Sequence, residues 1–187
     1  MRIVISHRQI DFDALASMFG VYKLYPDSVM VLEGKPNPYV QEFLALTKDL
    51  LPIKSIHEVT ITNVDRIVLV DTHDISRAST IIKEMAGNPK IEIEIIDHHP
   101  YAGPLKPNMV IDSVGACATL IVEKIKEHGI PLNSFEATLL ALGIYEDTGS
   151  LLFENTTARD VQAVAFLLEQ GAQLHVIAEY LRKPLTE

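Results

Sequence analysis

Arg66-Ile-Val-Leu-Val-Asp-Thr-His-Asp-Ile-Ser-Arg-Ala-Ser-Thr-Ile-Ile-Lys-Glu-Met-Ala-Gly-Asn-Pro-Lys-Ile-Glu-Ile-Glu-Ile-Ile-Asp-His-His99 holds two strand-like runs around one helix-like run. Ile67 to Val70 is uninterrupted apolar sequence ending on Asp71, as expected of a strand buried on both faces. Ser76 to Met85 predicts a short helix, stopped by Gly87-Asn88-Pro89. Ile91 to Ile96 alternates apolar and charged residues, which predicts a strand with one face partly wet, and it ends on Asp97-His98-His99. Strand, helix and strand in this order form the unit of a parallel sheet.

The same alternation extends in both directions. Upstream, Arg2 to Ser6 and Ser28 to Leu32 predict strands. Apolar residues at helical spacing after Asp13 (Ala14, Leu15, Met18, Phe19, Tyr22) predict one helix, and Pro38 to Leu46 a second. Downstream, Met109 to Ile111 adds a strand. Helices are then expected over Ala116 to His128, Ser134 to about Tyr145, Ala158 to Gln170 and Leu174 to Leu181. Strands early and helices late predict an α/β fold, a doubly wound, mainly parallel sheet flanked by helices with a helical second half. Residues 1–182 suit one domain, and Lys183-Pro-Leu-Thr-Glu187 reads as the opening of a linker to a further C-terminal domain.

Composition narrows the function classes. The 187 residues carry a formal net charge of −9, which argues against a whole-surface grip on nucleic acid. No apolar run reaches the roughly 18 to 20 residues of a membrane span, so no membrane partner is expected. The start has no signal-peptide pattern, and Cys117 is the single cysteine, which excludes an internal disulfide and a thiolate zinc cluster. Both features predict a cytoplasmic protein. Cys117 itself is read as a small packing residue, and His57, His128 and His175 as surface histidines.

In open α/β sheets ligands bind beyond the carboxyl ends of the strands. Four polar groups fall there or at a helix exit: His7 with Asp11 and Asp13, Asp71, Asp97-His98-His99, and Glu146-Asp147-Thr148-Gly149. Taken singly, an Asp or His at such a place is a turn former or helix cap, and Asp13 or Asp97 can be read so. Those roles do not account for two adjacent histidines after an apolar strand. Carboxylates and neutral imidazoles without thiolate suit the harder divalent ions. Manganese, magnesium, zinc or cobalt would take such ligands, and we expect two divalent cations, with manganese named first and magnesium or cobalt as alternatives. A carboxylate bridging them fits a site that activates water and holds phosphoryl oxygens. Ser113, Gly115 and Thr119 surround a helix N-terminus, where a substrate phosphate is expected. His73, Asp74 and Arg77 follow Asp71 closely and could reach a phosphate, with Arg77 the candidate contact, although a solvated loop and a helix start account for them equally.

Ser6-His-Arg-Gln-Ile-Asp-Phe-Asp-Ala-Leu-Ala-Ser17, the lone Asp71, Asp97-His98-His99 and Asp147-Thr148-Gly149 resemble, in order and spacing, the four motifs of the DHH phosphoesterase family. The resemblance implies one metal held by His7, Asp11 and Asp71. It implies a second held by Asp13, Asp71, His98 and Asp147, with Asp71 bridging. It further implies that His99 faces the scissile phosphate and that Asp97 orients the histidines. Within the family, Asp11 to Ser17 and Lys35-Pro-Asn-Pro-Tyr-Val40 are most similar to the exopolyphosphatase-related domains of poly(A) polymerase and tRNA nucleotidyltransferase fusion proteins. Arg8-Gln9-Ile10 stands where relatives often carry Asn-Pro. The glycine- and histidine-rich phosphate motif of the family's C-terminal domain does not occur in the chain.

The expectation is a metal-dependent hydrolase of phosphoanhydride or phosphodiester bonds, acting on polyphosphate, a short oligonucleotide or a nucleotide such as 3'-phosphoadenosine phosphate. The alternative is a metal- and nucleotide-binding regulatory module of a larger nucleotidyltransferase. A phosphate-accepting aspartate at Asp11 or Asp13 is the rival chemistry, but it leaves His98 and His99 idle.

Overall fold

In the computed structural model, which describes residues 1–181, the chain runs β1 (Arg2–Ile5), α1 (Phe12–Leu24), β2 (Val29–Leu32), α2 (Pro38–Thr47), β3 (Ile53–Ser55), β4 (Arg66–Val70), α3 (Ile75–Ala78), α4 (Thr80–Ala86), β5 (Glu92–Asp97), β6 (Met109–Ile111), α5 (Cys117–Glu127), α6 (Ser134–Asp147), α7 (Ala158–Glu169) and α8 (Leu174–Leu181). The boundary at 182 and the linker expected over 183–187 lie outside the described residues.

All strand pairs are parallel, in the order β3-β2-β1-β4-β5-β6. The direction of winding reverses between β1 and β4, which makes their carboxyl ends the topological switch point where ligands bind in such sheets. Register then sets which loops meet. Ile5 lies beside Leu69, and Val70 beside Ile96, so the chain leaves β1, β4 and β5 at one level. The Ser6 hydroxyl donates to the Val70 carbonyl at 2.8 Å and ties the first two exits together.

Alternate residues of the central strands face two apolar layers. Val4, Val68, Val70 and Ile96 pack against α1, α5 and α6, while Ile3, Ile5, Ile67, Leu69 and Ile95 pack against Ala78, Ile82 and Met85 of α3 and α4. Burial on both faces is why these strands read as apolar runs. The larger layer is built on α1, which is apolar nearly all round. It approaches its neighbours at two glycines. A Cβ on Gly20 would stand 2.5 Å from Ile121 Cγ2, and one on Gly143 would stand 2.7 Å from Ala16 Cβ and 2.9 Å from the Phe12 carbonyl. The second contact brings α6 against the first turn of α1.

Two elements differ from the sequence expectation. β3 is an added strand: it has three residues, none fully buried, and follows Pro52, so it carries no periodic signal. The single helix expected over Ser76 to Met85 is two, because Ser79 takes extended backbone (φ −167°, ψ 145°) and its side chain accepts from the Ile82 amide to cap α4. Among the described residues no helix is long and apolar enough to cross a membrane.

Candidate metal centre

The turn between β1 and α1 presents His7, Asp11 and Asp13. Asp11 is the N-cap of α1, its Oδ1 accepting from the Ala14 amide at 2.9 Å, while its Oδ2 faces His7 Nε2 at 3.7 Å. Asp13, which read alone suggested the cap of α1, lies inside its first turn, fully buried. Its two oxygens accept from the Cys117 and Ala118 amides at 2.7 and 2.9 Å. The first amides of α5 are orphan donors, and this carboxylate satisfies two of them.

Asp71 follows β4 in the left-handed region, φ +56°, a conformation that side chains other than glycine rarely adopt. The turn holds its buried carboxylate between two imidazoles: Oδ2 is 3.2 Å from His7 Nε2, and Oδ1 is 3.3 Å from His98 Nε2. His98 Nε2 is also 3.2 Å from Asp147 Oδ2 and 3.7 Å from Asp13 Oδ2. Three sets of ligand atoms close enough to share an ion result: His7, Asp11 and Asp71; Asp13, His98 and Asp147; Asp71, His98 and His99.

The chemistry of this cluster fits cations. Asp71 Oδ1 and His98 Nε2 are buried and make no hydrogen bond, although each lies within 3.4 Å of an opposite partner: their alignment suits a shared ion rather than one another. His98 Nδ1 meets the Val114 carbonyl at 3.1 Å. A carbonyl only accepts, so Nδ1 carries the hydrogen and the neutral ring offers its Nε2 lone pair to a metal. Burial and the nearby Asp71 charge push the Asp11 carboxyl up to about 6. Burial, then Asp71 and Asp147, push Asp13 well above the carboxylate range. For His98 burial opposes the charge, yet Asp147, Asp71 and Asp13 drive it up to about 12. Four aspartates facing two imidazoles carry more negative charge than the protein neutralises, and two divalent cations would balance them.

Asp97 works differently. It is fully buried, and Oδ1 accepts from the His98 amide (2.9 Å), the His99 amide (3.2 Å) and His99 Nδ1 (2.8 Å), while Oδ2 meets His73 Nδ1 at 2.6 Å. Burial opposes its charge, but the bonds from His99 and His73 hold its carboxyl at about 2. Asp97 therefore orients the rings of His99 and His73, and meets His98 only through the backbone. His99 is half-exposed, 3.8 Å from Asp71 Oδ1 through Nδ1.

The helix start expected to receive a phosphate is occupied from within. Besides Asp13 on α5, both oxygens of buried Asp160 accept from the Gly115 amide (3.0 and 2.9 Å), and Asp160 also takes the Thr119 hydroxyl at 2.6 Å. Ser113 is exposed with its amide on Asp112 Oδ1. Thus Gly115 and Thr119 spend their donors inside the protein, and Ser113 stands outside the cluster. Arg77 is exposed on α3, close enough for its charge to bear on His7. Two participants, Glu146 and Asp160, carried no role in the sequence reading, and a third, His73, was left even between phosphate contact and a solvated loop. Glu146 accepts from the Phe12 amide at 2.5 Å, and burial with the Asp11 charge raises its carboxyl to about 7. His73 is clamped by Asp97, and Asp160 is the buried capping carboxylate of α7. Glu146, through its place beside Asp147 in the fourth polar group, and His73, close after Asp71, had a signal; Asp160 had none.

The chain is similar to several known proteins. The chain is 38% identical over its whole length to an A-adding tRNA nucleotidyltransferase of Geobacter sulfurreducens, of which it spans 21%. It is 25% identical, over 89% of its length, to the bifunctional oligoribonuclease and PAP phosphatase of Bacillus subtilis, spanning 52% of that protein. It is 28% identical, again over 89%, to a probable manganese-dependent inorganic pyrophosphatase of Streptococcus suis, spanning 54%. An exopolyphosphatase-related protein from Bacteroides fragilis shares the fold with a TM-score of 0.81 at 18% identity, covering all of this chain and 57% of its own. Residues 2–144 match the DHH family, N-terminal domain. The chain therefore belongs to the DHH family, as its N-terminal domain.

Proposed function

We propose that this domain is a divalent-metal-dependent phosphohydrolase whose centre is held by His7, Asp11 and Asp71 on one side and Asp13, Asp71, His98 and Asp147 on the other, with Asp71 shared. The observation that carries this reading is the convergence of those side chains on two buried atoms without hydrogen bonds, Asp71 Oδ1 and His98 Nε2. Two divalent ions bound there, manganese first and magnesium or cobalt as alternatives, would supply charge neutralisation for phosphoryl oxygens and a water of lowered pKa.

The protein's own groups then have separate tasks. His99, turned by Asp97 through Nδ1, keeps Nε2 for a phosphoryl or leaving-group oxygen, and is the proposed general acid or hydrogen-bond donor. Arg77 lies on the solvent side near His7, where a substrate phosphate can reach it. Because the start of α5 is already filled by Asp13 and Asp160, substrate is expected on the His99 and Arg77 side. Ser113 and Gly115, expected from the sequence as contacts, act at most through loop shape. Relatives that act on pyrophosphate, oligoribonucleotides and PAP support a phosphorylated substrate in these classes or polyphosphate.

The chain spans about half the length of those phosphatase relatives, which supports a second, substrate-binding domain outside it. The coverage of only a fifth of the nucleotidyltransferase favours one further reading: a metal- and nucleotide-binding module within such a protein, with little turnover of its own. Phosphate or mononucleotide release is measured from metal-stripped protein with manganese added back. Tripolyphosphate, a short oligoribonucleotide and 3'-phosphoadenosine phosphate serve as substrates, and Asp71→Asn as control. Manganese-dependent release absent from Asp71→Asn is the expected result. Tight metal binding without release from any substrate supports the module, and failure to bind metal overturns both readings.

A further inference from the structure

The face of the sheet opposite α1 is only partly covered at the β6 edge. There Tyr101, Lys106 and Asn108 of the segment that leads into β6 line a half-open cavity of about 300 Å³, at the lower end of the size range of small-ligand sites. Its floor is aliphatic, from Ile93 and Ile95 of β5 and Met109 of β6, and Ile75 of α3 forms one side. His73 and Tyr101 line it with two rings, packed edge to face with centroids 5.0 Å apart. No carboxylate lines it, although the chain carries a net charge of −9; its one lining residue of full charge is Lys106. Asn108 donates through Nδ2 to the Ile93 carbonyl, which leaves its Oδ1 to accept from an amine.

We propose that this cavity binds an amino-bearing purine nucleoside monophosphate, its base on the aliphatic floor beside His73 and Tyr101, its exocyclic amine toward Asn108 Oδ1 and its phosphate toward Lys106. The aliphatic and aromatic lining suits a planar ring, the lone acceptor suits its amine, and a lysine without acidic neighbours suits one anionic group. The site is separate from the metal centre, with which it shares a wall: His73 holds Asp97, and Asp97 holds His99. An occupant that moves His73 is thereby coupled to the orientation of His99. The binding site goes beyond the hydrolase reading and does not depend on it.

The chain has no tryptophan, so Tyr101→Trp places a single indole in the cavity wall. AMP is expected to quench its fluorescence saturably. Lys106→Ala in that background should weaken AMP binding roughly tenfold, as loss of a charge-assisted hydrogen bond does, and leave adenosine unchanged. Ala86→Phe, which fills the cavity, should abolish quenching by both, whereas Asp71→Asn should leave it intact. Calorimetric titration of the unsubstituted chain with AMP should give a matching affinity. The proposal fails if AMP gives neither heat nor quenching, or if binding is lost in Asp71→Asn and kept in Lys106→Ala and Ala86→Phe, since AMP then sits at the metal centre.

Discussion

Asp71 and Asp160 are both buried carboxylates at chain turns, yet they are solvated in opposite ways. Asp160 receives the Gly115 and Thr157 amides and the Thr119 and Thr157 hydroxyls, and these bonds hold its carboxyl below the ordinary range although burial opposes the charge. Asp71 receives only imidazoles, in a left-handed backbone, and leaves Oδ1 without a hydrogen bond. A carboxylate that the protein satisfies completely is a structural joint. One that it buries and leaves short of donors is where the proposed cation would supply the missing solvation.

The contrast breaks most visibly at Asp71. Asp71→Asn removes the shared ligand; losing several kcal/mol of transition-state stabilisation corresponds to at least about a thousandfold in rate, measured as manganese-dependent phosphate release at constant folded protein. Retention of near wild-type rate removes Asp71 as the bridge. Asp160→Ala should instead cost about 3 kcal/mol of stability, since several buried donors lose their acceptor, while activity per folded molecule stays close to wild type. Urea unfolding together with specific activity tests this, and a rate loss larger than the folding loss would merge the two classes. Asp97→Asn should sit between them, lowering turnover roughly 10- to 100-fold with little change in metal affinity, because the ring it orients, His99, is the proposed acid and not a proposed metal ligand. Metal titration beside steady-state rates measures it.

The smallest effect sharpens the comparison through pH. Asp11, raised to about 6, and Glu146, raised to about 7, are acids whose folded values exceed their unfolded ones. Each therefore costs nothing below the unfolded value near 4, and destabilises increasingly as pH rises to the folded value. His98, raised to about 12, stabilises fully below its unfolded value near 6.5 and progressively less above it. Asp11 and Glu146 weaken the metal-free protein as pH rises from about 4 to 7, and His98 does so above about 6.5, whereas a metal binds the deprotonated ligands more tightly as pH rises. The gap in Tm between manganese-loaded and metal-free protein should accordingly widen from pH 5 to pH 8. A constant gap would mean that the cluster's charges are neutralised by other means.

Much of the site was legible because register does the assembling: apolar runs identify the strands, and residues just after parallel strands share one level of the sheet. Asp11, Asp13, Asp71, His98 and His99 could be placed on that reasoning alone. The capping of α5 by Asp13 could not, because the partners lie 104 and 105 residues apart and a carboxylate near a helix start reads most simply as a local cap. The same holds for Gly115, whose amide meets an aspartate 45 residues later. β3 was illegible for a different reason, since three half-exposed residues produce no alternation, and its pairing with β2 is supplied by the rest of the sheet.

The seating of α1 against α6 also sets a timetable for synthesis. The Phe12 amide waits for Glu146, 134 residues downstream, and Gly143 must arrive before α1 is enclosed. Nascent chains that have not yet released α6 carry an almost wholly apolar α1 with its widest flank bare. Fragments ending before residue 134 are therefore expected to aggregate, and folding of this domain is expected to be completed late, after most of the chain has left the ribosome.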